Sequence, residues 1–415
     1  MKNSSRNNTM ENIRSCFLIY QSDPELVYLD SAATAQKPQV VLDAMWEYYT
    51  TYTANASRGL YPMAERTTDA IAHTRTVVRD FLHAKSEREV IFTAGSTEGM
   101  NMLARGLAHT LDTDSNIVVT ALEHHSASLP WKESAAHTGT QLRTAKITPT
   151  GMLDQESLLA LCDAQTRIVA LTHMSNVTGE TLDIPALAAA IRAKSPTAAI
   201  ILDASQSVAH IPVDTRVLGV DALVFSAHKL YGPTGTGVLW GTEELLNALR
   251  NTDVGGGTVL DACAVDTEYK DLPERLEAGT PNIAGIIGLG AAVQFVQSIG
   301  FDAIAQHDAE LYQYTVAKLT EIFGDRITII YKNRQNNSSI VSFVHTSIHP
   351  HDLAQILGDH HVCIRAGEHC AAPLHRSLDL AATARVSFGV YTTTADIDAL
   401  VAALRVAEQT FGITA

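Results

Sequence analysis

Short runs of apolar residues recur along the first 290 residues, and small or polar residues and then helix-like periodicity follow most of them. The runs predict strands at Val90–Thr93, Ile117–Thr120, Ile168–Leu171, Ile200–Leu202, Ala222–Phe225 and Val238–Trp240. Continuous apolar runs of this length are typical of strands that are buried on both faces of a parallel sheet. The alternation of strand and helix therefore predicts an α/β fold, with a mostly parallel sheet between two layers of helices.

The pattern changes after residue 290, where a smaller α+β region is predicted. This region contains a strand at Ile340–Val344, a helix at Pro350–Leu357 and a final helix at about Ala395–Phe411. The N-terminus is polar and lacks the apolar core of a signal peptide, so we expect residues 1–10 to form a disordered tail. No apolar run approaches the length that crosses a membrane, and no membrane partner is expected.

The composition of the chain argues against several classes of function. Among the 415 residues there are 30 basic and 45 acidic ones, which gives a formal net charge of −15. This balance argues against general binding to nucleic acid or to anionic membranes, both of which need basic patches. The five cysteines are scattered and have no CxxC spacing, so neither a disulfide framework nor a zinc site is suggested. A reducing cytoplasm is the compartment that fits best.

An aspartate and a lysine follow two neighbouring predicted strands. Asp203 ends the run at Ile200, and Lys229 follows the run at Ala222. Since ligands bind outside the carboxyl ends of strands in open α/β sheets, both side chains are expected at the ligand-binding edge. Pyridoxal phosphate needs a lysine amine to bond to its aldehyde and a carboxylate beside its ring nitrogen. The alternatives are a buried salt bridge or a solvated loop lysine.

The residues around this pair favour the cofactor. Gln206 follows the aspartate, Ser226 and His228 flank the lysine, and a glycine-rich turn comes next. A second small-residue turn, Ala94–Gly99, is predicted to lead from a strand into a helix that begins at Met100. Free backbone N–H groups at a helix N-terminus bind phosphate, and the Ser96 and Thr97 hydroxyls add donors. The alternative is that one of these hydroxyls only caps the helix.

The motifs LDASQSV, from Leu202, and FSAHKLYGPTG, from Phe225, resemble the class V aminotransferase family of fold-type I pyridoxal phosphate enzymes. The resemblance extends from Tyr28 to Arg385 and is greatest to the Suf-type (group II) cysteine desulfurases. It implies a large cofactor-binding domain at 31–290 with a mostly parallel sheet of the seven-stranded type. It also implies a small α+β domain, made of 11–30 and 291–415, that carries a catalytic cysteine loop.

The resemblance assigns roles to individual residues. It implies that His124 covers the cofactor ring and takes part in catalysis, and that Asn176 contacts the phenolic oxygen. Thr280, in the Gly-Thr-Pro-Asn turn, would reach the phosphate in a partner subunit, which implies a homodimer; an ordinary turn before a helix is the alternative. The implied cofactor-binding set is Ser96, Thr97, His124, Asn176, Asp203, Gln206, Ser226, His228, Lys229 and Thr280. The implied substrate-binding set is Arg385, Arg365, Ala32 and Asn176.

The segment Arg365–Ala371 resembles the loop that carries the sulfur-accepting cysteine of group II desulfurases. The resemblance implies that Lys229 and Cys370 are catalytic and that L-cysteine is converted to L-alanine and an enzyme persulfide. The persulfide sulfur would pass to a SufE- or SufU-type acceptor for iron–sulfur cluster assembly. The alternatives are a selenocysteine lyase, another class V enzyme that does not use the cysteine, and a catalytically silent scaffold.

The chain also departs from the family pattern. Glu368 stands where a histidine is usual before the cysteine, Ser57 and Tyr61 replace two histidines, and Ala94 replaces a common arginine. A carboxylate so near a thiol tends to raise the pKa of that thiol unless it points away. His349 resembles a histidine that joins the zinc of a SufU-type acceptor; a polar loop before a helix is an equally open interpretation.

Overall fold

The fold was analysed in a computed structural model, which describes residues 10–57, 59–263, 265–331 and 339–413. The strands are β1 (Val27–Tyr28), β2 (Val90–Thr93), β3 (Asn116–Thr120), β4 (Gln141–Ala145), β5 (Thr166–Thr172), β6 (Ala199–Asp203), β7 (Ala222–Ser226), β8 (Gly237–Gly241), β9 (Val259–Ala262), β10 (Thr267–Tyr269), β11 (Ile327–Ile329), β12 (Ile340–His345), β13 (Val362–Cys363), β14 (Arg365–Gly367) and β15 (Thr383–Ser387). The α-helices are α1 (Ile19–Ser22), α2 (Gln39–Thr51), α3 (Pro62–Leu82), α4 (Ser96–Leu107), α5 (His125–Thr138), α6 (Gln155–Leu161), α7 (Ile184–Lys194), α8 (Thr215–Leu218), α9 (Glu243–Ala248), α10 (Ile283–Ile299), α11 (Phe301–Phe323), α12 (Pro350–Asp359), α13 (Ala372–Ser377) and α14 (Thr394–Thr410).

Seven strands form one sheet in the order β2-β8-β7-β6-β5-β3-β4. Neighbouring strands are parallel except at β8, which runs antiparallel to both β2 and β7. The predicted α/β fold with a mostly parallel sheet is therefore confirmed. Since β5, β6 and β7 run in the same direction, their carboxyl ends meet at a single edge of the sheet.

Both faces of this sheet are buried, which explains the uninterrupted apolar runs. Val118, Val169 and Leu223 pack into a core on one face. Their sequence neighbours, such as Ile117 and Ile168, pack into a second core on the other face. Alternate residues of a strand point to opposite faces, so apolar residues at every position are required when helices cover both.

The second sheet is antiparallel, with four strands in the order β11-β12-β15-β14. The N-terminal segment reaches this part of the molecule, because β1 pairs with β13 and Asp30 forms a bridge with Ser387. Leu29 packs into the same core as residues of α11, α12 and α14. The division into 31–290, and 11–30 with 291–415, stays a prediction. The predicted tail lies outside the described residues except for Met10, which begins a 3-10 helix.

The local structure differs from the sequence-based predictions at one helix start and contains one hairpin that was not predicted. Helix α4 begins at Ser96, four residues before the predicted start at Met100, because the small residues of the turn already have helical geometry. The β9–β10 hairpin was not predicted, since both of its strands are largely exposed and lack an apolar run. Within the described ranges no single helix is long and apolar enough to cross a membrane; α10 and the adjoining Phe301–Arg326 meet the criteria only together, with a 77° bend between them.

The N-terminal segment is anchored by an aromatic cluster. Phe17 is fully buried and contacts the rings of Tyr391, Phe295 and Tyr231, with centroid distances of 4.8, 5.7 and 6.1 Å. We expect Phe17→Ala to lower the free energy of unfolding by about 3–5 kcal/mol, because it leaves a cavity in this cluster. Denaturant unfolding measures the change, and Leu18→Ala, at a 36% exposed position, is the matched control. Equal stability of the two variants would contradict the anchoring role.

Candidate active site

The aspartate and the lysine singled out in the sequence lie at the same edge of the sheet. Asp203 is the last residue of β6 and pairs in register with Val224 of β7. Lys229 ends the 3-10 turn Ala227–Lys229, which directly follows β7. Asp203 is buried, and its Oδ1 accepts a hydrogen bond from the Ser205 amide at 2.9 Å. The strand order therefore brings together two side chains that are 26 positions apart in sequence.

The surroundings of Lys229 favour the uncharged form of its amine. Burial lowers the pKa of Lys229, while the nearby Asp203 carboxylate raises it. The Cys370 thiol also acts on Lys229, so the structure brings the predicted nucleophile to this centre. Lysines with a pKa lowered by burial serve as nucleophiles and proton acceptors near neutral pH.

A small-residue turn forms the second part of the site. Gly95 is the N-cap of α4, with φ +153°, and the cap carries no side-chain hydrogen bond. The alternative that Ser96 or Thr97 caps the helix is therefore wrong. The hydroxyl of Ser96 lies 2.9 Å from that of Ser226, which also accepts from the Ser96 amide at 2.8 Å. Thr97, Ser226 and His228 line a cavity of about 650 Å³ that lies against the N-terminus of α4.

The turn that carries Lys229 is fixed by the segment after β1. The His228 carbonyl accepts hydrogen bonds from the Ala35 amide at 2.9 Å, from Lys37 Nζ at 3.2 Å and from Thr34 Oγ1 at 3.3 Å. Burial lowers the pKa of Lys37 to about 8. Burial, with Lys229 and Lys37 nearby, also lowers the pKa of His228 to about 4.

His124 is the N-cap of α5, and its ring acts as a hydrogen-bond acceptor. Nδ1 accepts from the Ser126 amide at 3.1 Å and lies 2.7 Å from the Ser126 hydroxyl. Burial and the nearby Lys229 lower the pKa of His124 to about 4. The ring is therefore neutral at pH 7, and with Nδ1 as acceptor its proton is assigned to Nε2.

The cysteine loop joins β14 to α13 and has an uncommon backbone. His369 and Cys370 have φ values of +50° and +57°, a left-handed geometry that costs non-glycine residues roughly 1–2 kcal/mol each. Two contacts with the large sheet hold it: Asn176 Nδ2 donates to the His369 carbonyl, and the His125 amide to the Cys370 carbonyl, both at 2.7 Å. His125 Nε2 also accepts from the Ala372 amide at 3.3 Å. The Cys370 side chain is exposed.

The predicted substrate residues converge beside this loop. Arg385 is buried in β15, and its Nη1 donates to the Asn176 carbonyl at 2.9 Å. Arg365 is its register partner in β14. Gln206 Nε2 donates to the Ala32 carbonyl at 2.9 Å, which ties the segment after β1 to the residues after β6. The Cys370 thiol and Arg365 both act electrostatically on Arg385, so the loop and the two arginines share one site.

Other predicted residues lie elsewhere. Thr280 is exposed and lines a cavity of about 620 Å³. It also lines a smaller cavity of about 240 Å³ together with Ala94 and Glu98 of the small-residue turn, but Ser96 and Ser226 do not line either cavity. His349 is the N-cap of α12 and stacks on His351, with ring centroids 5.1 Å apart. Glu368, Ser57 and Tyr61 are all exposed.

Sequence reasoning missed several residues around the site. It gave no role to Asp30, Lys37, Glu123 or His125. Asp30 lies in the Tyr28–Ala33 stretch where the resemblance begins, Lys37 follows that stretch four residues later, and the other two flank His124. Their positions in or near recognised motifs were the only signal, since each of the four also has a partner in a distant segment.

Glu123 predicts a dependence of stability on pH. It is buried; Oε1 accepts from Thr120 Oγ1 and the Thr172 amide, both at 2.8 Å, and Oε2 has no partner among the described residues. Burial and the nearby Asp203 raise the pKa of Glu123 from 4.5 to about 8. The folded state binds this proton more tightly than the unfolded state, so its contribution is lost as the pH rises from about 4.5 through 8.

We expect Glu123→Gln to reduce the decrease in stability with rising pH, because glutamine mimics the neutral acid. The effect on the free energy of unfolding should be on the order of a few kcal/mol at pH 8. Urea denaturation at pH 5, 6.5 and 8 measures it. Glu133→Gln, an exposed position on α5, should leave the slope as in the wild type. Parallel pH profiles of wild type and Glu123→Gln would contradict the buried proton.

The donor set fits pyridoxal phosphate: an amine with a lowered pKa, a buried carboxylate one strand away, and a helix N-terminus with two serine hydroxyls at a cavity. Among the described residues no group of three or more His, Cys, Asp or Glu side chains could hold a metal ion. The fold and the site thus define a pyridoxal phosphate enzyme built on a mostly parallel α/β sheet. The aminotransferase class-V profile matches residues 27–400, and the chain belongs to this family.

Curated relatives and solved structures agree with this assignment. A probable cysteine desulfurase of Halalkalibacterium halodurans is 39% identical over 93% of this chain and 94% of its own length. Probable cysteine desulfurase 2 of Mycobacterium leprae is 41% identical over 94% and 93%. The structure of the Escherichia coli cysteine desulfurase CsdA matches with a TM-score of 0.89 and 32% identity, over 97% of this chain and 98% of that one. The Thermococcus onnurineus cysteine desulfurase gives 0.90 and 33%, with the same coverage. The predicted family, cofactor and likeness to cysteine desulfurases are confirmed.

Proposed function

We propose that this chain is a cysteine desulfurase that removes the sulfur of L-cysteine, forms L-alanine and carries the sulfur as a persulfide on Cys370. The observation that carries the proposal is the Cys370 loop, which is held at 2.7 Å by the His125 amide and acts electrostatically on both Lys229 and Arg385. The thiol is therefore close enough to act electrostatically on the amine and on the guanidinium that would hold the substrate, as a sulfur-accepting step requires.

Pyridoxal phosphate, when bound, supplies an electron sink that stabilises negative charge at the substrate Cα. Lys229 would hold it covalently, and Asp203 would keep its ring nitrogen protonated. Ser96, Thr97 and Ser226, at the N-terminus of α4, would hold its phosphate, with His228 beside them. His124 would cover the ring, Asn176 would contact the phenolic oxygen, and Gln206 would support the site from the residues after β6.

Lys229 then moves the proton. Burial lowers the pKa of Lys229, which favours the uncharged amine. In that form its Nζ accepts the proton from the Cα of L-cysteine and can return it to the carbon skeleton. His124 remains neutral at pH 7, so it adds no second positive charge that would lower the proton affinity of Lys229 further.

Cys370 accepts the sulfur. Its thiolate attacks the substrate sulfur, an S–S bond forms as the Cβ–S bond breaks, and the electron pair of that bond remains with the carbon fragment. After protonation the fragment leaves as L-alanine, so that L-cysteine and the Cys370 thiol become L-alanine and the Cys370 persulfide. Only the thiolate is a good nucleophile for this step. Arg385 would receive the substrate carboxylate, with Arg365 and the Ala32 backbone at the same site.

The proposal extends to partners. Leu42, Trp46 and Tyr49 of α2 form an exposed apolar face, with Trp46 72% exposed. Monomers rarely expose such a face, which supports a homodimer in which Thr280 completes the partner's phosphate site. We further propose that the persulfide sulfur passes to a SufE- or SufU-type acceptor, with His349 as a contact, for iron–sulfur cluster assembly. Scattered cysteines support a cytoplasmic location.

The test measures where the sulfur atom of L-cysteine goes. Holoenzyme is incubated with L-cysteine, first without and then with a thiol reductant. Without reductant, we expect mass spectrometry of the digest to show one added sulfur atom on the Cys370 peptide, together with one equivalent of alanine. With reductant, alanine and sulfide should form continuously in equal amounts. Alanine without sulfur on Cys370 would overturn the proposal, and faster turnover of selenocysteine would assign the chain to the selenocysteine lyases.

A further inference from the structure

Two arginines stand directly opposite each other in the second sheet. Arg365 of β14 and Arg385 of β15 are register partners in an antiparallel pair. Side chains in such a pair lie on the same face, where like charges destabilise each other. Burial is the largest cause that lowers the pKa of Arg385, and the positive charge of Arg365 lowers it further. Some other group must make this arrangement tolerable, because the Arg385 side chain is only 3% exposed.

That group is Asp30, which follows β1. Its Oδ1 accepts from Arg385 Nη2 at 2.9 Å, and its Oδ2 lies 3.7 Å from Arg365 Nη1. The backbone of Asp30 is fixed by a bridge to Ser387 in β15. One carboxylate with a fixed backbone therefore lies between the two guanidinium groups. It also raises the pKa of Arg385, which favours the charged form.

The donors of Arg385 can be accounted for individually. Nη1 donates to the Asn176 carbonyl at 2.9 Å, and Nη2 donates to Asp30 Oδ1 at 2.9 Å. Nε is buried and has no partner among the described residues. A buried, unpartnered N–H of a charged group costs free energy unless a ligand satisfies it. Two protein acceptors thus fix the plane of the guanidinium and leave an edge that contains Nε for a carboxylate.

We propose that Asp30 is the positioning residue of the substrate site, because it orients Arg385 so that the edge containing Nε is presented to the α-carboxylate of the amino acid. The inference rests on the proposed function, which places that carboxylate at Arg385. Bidentate recognition needs two N–H groups aimed at two oxygens, and a rotated guanidinium loses one of them. Asp30 stays in place during turnover, and the substrate carboxylate joins it on the same guanidinium.

Two substitutions separate position from charge. Asp30→Asn keeps an oxygen that accepts from Nη2 but removes the charge, whereas Asp30→Glu keeps the charge but moves it by one methylene group. In Asp30→Glu we expect KM for L-cysteine to rise by at least ~10-fold over the wild type, with kcat within about threefold. In Asp30→Asn we expect most of this rise in KM to be absent. Glu25→Gln, at an 81% exposed side chain of the same segment, is the control.

The direction of the change in KM separates the alternatives. Removing a negative charge should by itself attract the substrate carboxylate more strongly, so a lower KM in Asp30→Asn would mean that Asp30 competes with the substrate. Wild-type KM values in both variants would overturn the inference, and so would an effect confined to Asp30→Asn. Thermal unfolding of each variant verifies that it is folded.

The inference and the proposed function can fail separately. Unaltered KM values beside a wild type that makes alanine overturn the inference alone. If the wild type makes no alanine, calorimetric titration with L-alanine replaces KM, because this amino acid carries the same α-carboxylate. A dissociation constant at least ~10-fold weaker in Asp30→Glu than in the wild type then supports the positioning role, and an equal one overturns it.

Discussion

Cys370→Ser is expected to lower the rate of alanine formation from L-cysteine by at least ~10³-fold, the scale of losing a catalytic nucleophile. A serine hydroxyl has nearly the same shape, but it is far less ionised and does not form the S–S bond that releases the carbon fragment. The loop should remain intact, because the backbone carbonyls of His369 and Cys370 provide its contacts with Asn176 and His125. Cofactor content, measured from the visible absorbance, should equal that of the wild type.

The matched control for this substitution is Cys263→Ser. Cys263 is also exposed, but it lies at the tip of the β9–β10 hairpin. The activity of this variant should remain within about twofold of wild type, since the hydrogen bonds that Cys263 makes with described residues stay within the hairpin. Equal rates for wild type and Cys370→Ser would remove the cysteine from the reaction and leave a class V enzyme of another activity.

Lys229→Ala is expected to abolish both the covalent attachment of the cofactor and the transfer of the Cα proton. Losing a general base typically costs about 10²–10⁴-fold, and losing the covalent link adds to this. Lys229 is only partly exposed to solvent, so we expect water to replace the amine poorly. Mass spectrometry after borohydride treatment measures the covalent link: we expect cofactor on the Lys229 peptide of the wild type and none on the variant protein.

Lys37→Met is the informative comparison for Lys229. Both amines have a lowered pKa, and Lys37 Nζ donates to the carbonyl of His228, the residue before Lys229. The hydrogen bonds of Lys37 go to oxygens of the protein. After borohydride treatment, Lys37→Met should still carry the cofactor on Lys229. Cofactor bound to Lys37 in the wild type would reassign the attachment residue.

Much of the fold could be predicted from the sequence, because a strand that is buried on both faces of a parallel sheet appears in the sequence as a short apolar run. The runs at Val90, Ile117, Ile168 and Ala222 are apolar at every position because helices cover both faces of the sheet. The β9–β10 hairpin has no such apolar run, since its side chains are largely exposed. The start of α4 was misplaced because glycine, serine and threonine favour turns and helix ends equally well.

Part of the site could be predicted from the sequence, because the residue types and the recognised motifs pointed to the same residues. Asp203 and Lys229 follow strands that are consecutive in the chain, so their proximity followed from the parallel order. The roles of Asp30 and Glu123 could not be predicted in this way, because each depends on segments far away in the chain. The sequence placed Thr280 in the site only by resemblance. Within one chain it lines a small cavity together with Ala94 and Glu98, but not the cavity that Thr97 and Ser226 line.

The sequence by itself determined the α/β class, the family, the cofactor chemistry and the residues that carry recognisable motifs, because these depend on local patterns and residue types. Only the tertiary structure decided that the charge of Cys370 acts on Lys229, that Asn176 and His125 hold the loop of this cysteine, and that Asp30 lies between Arg365 and Arg385. Such contacts join segments hundreds of residues apart. Their distances depend on how the second sheet packs against the first, which no local pattern encodes.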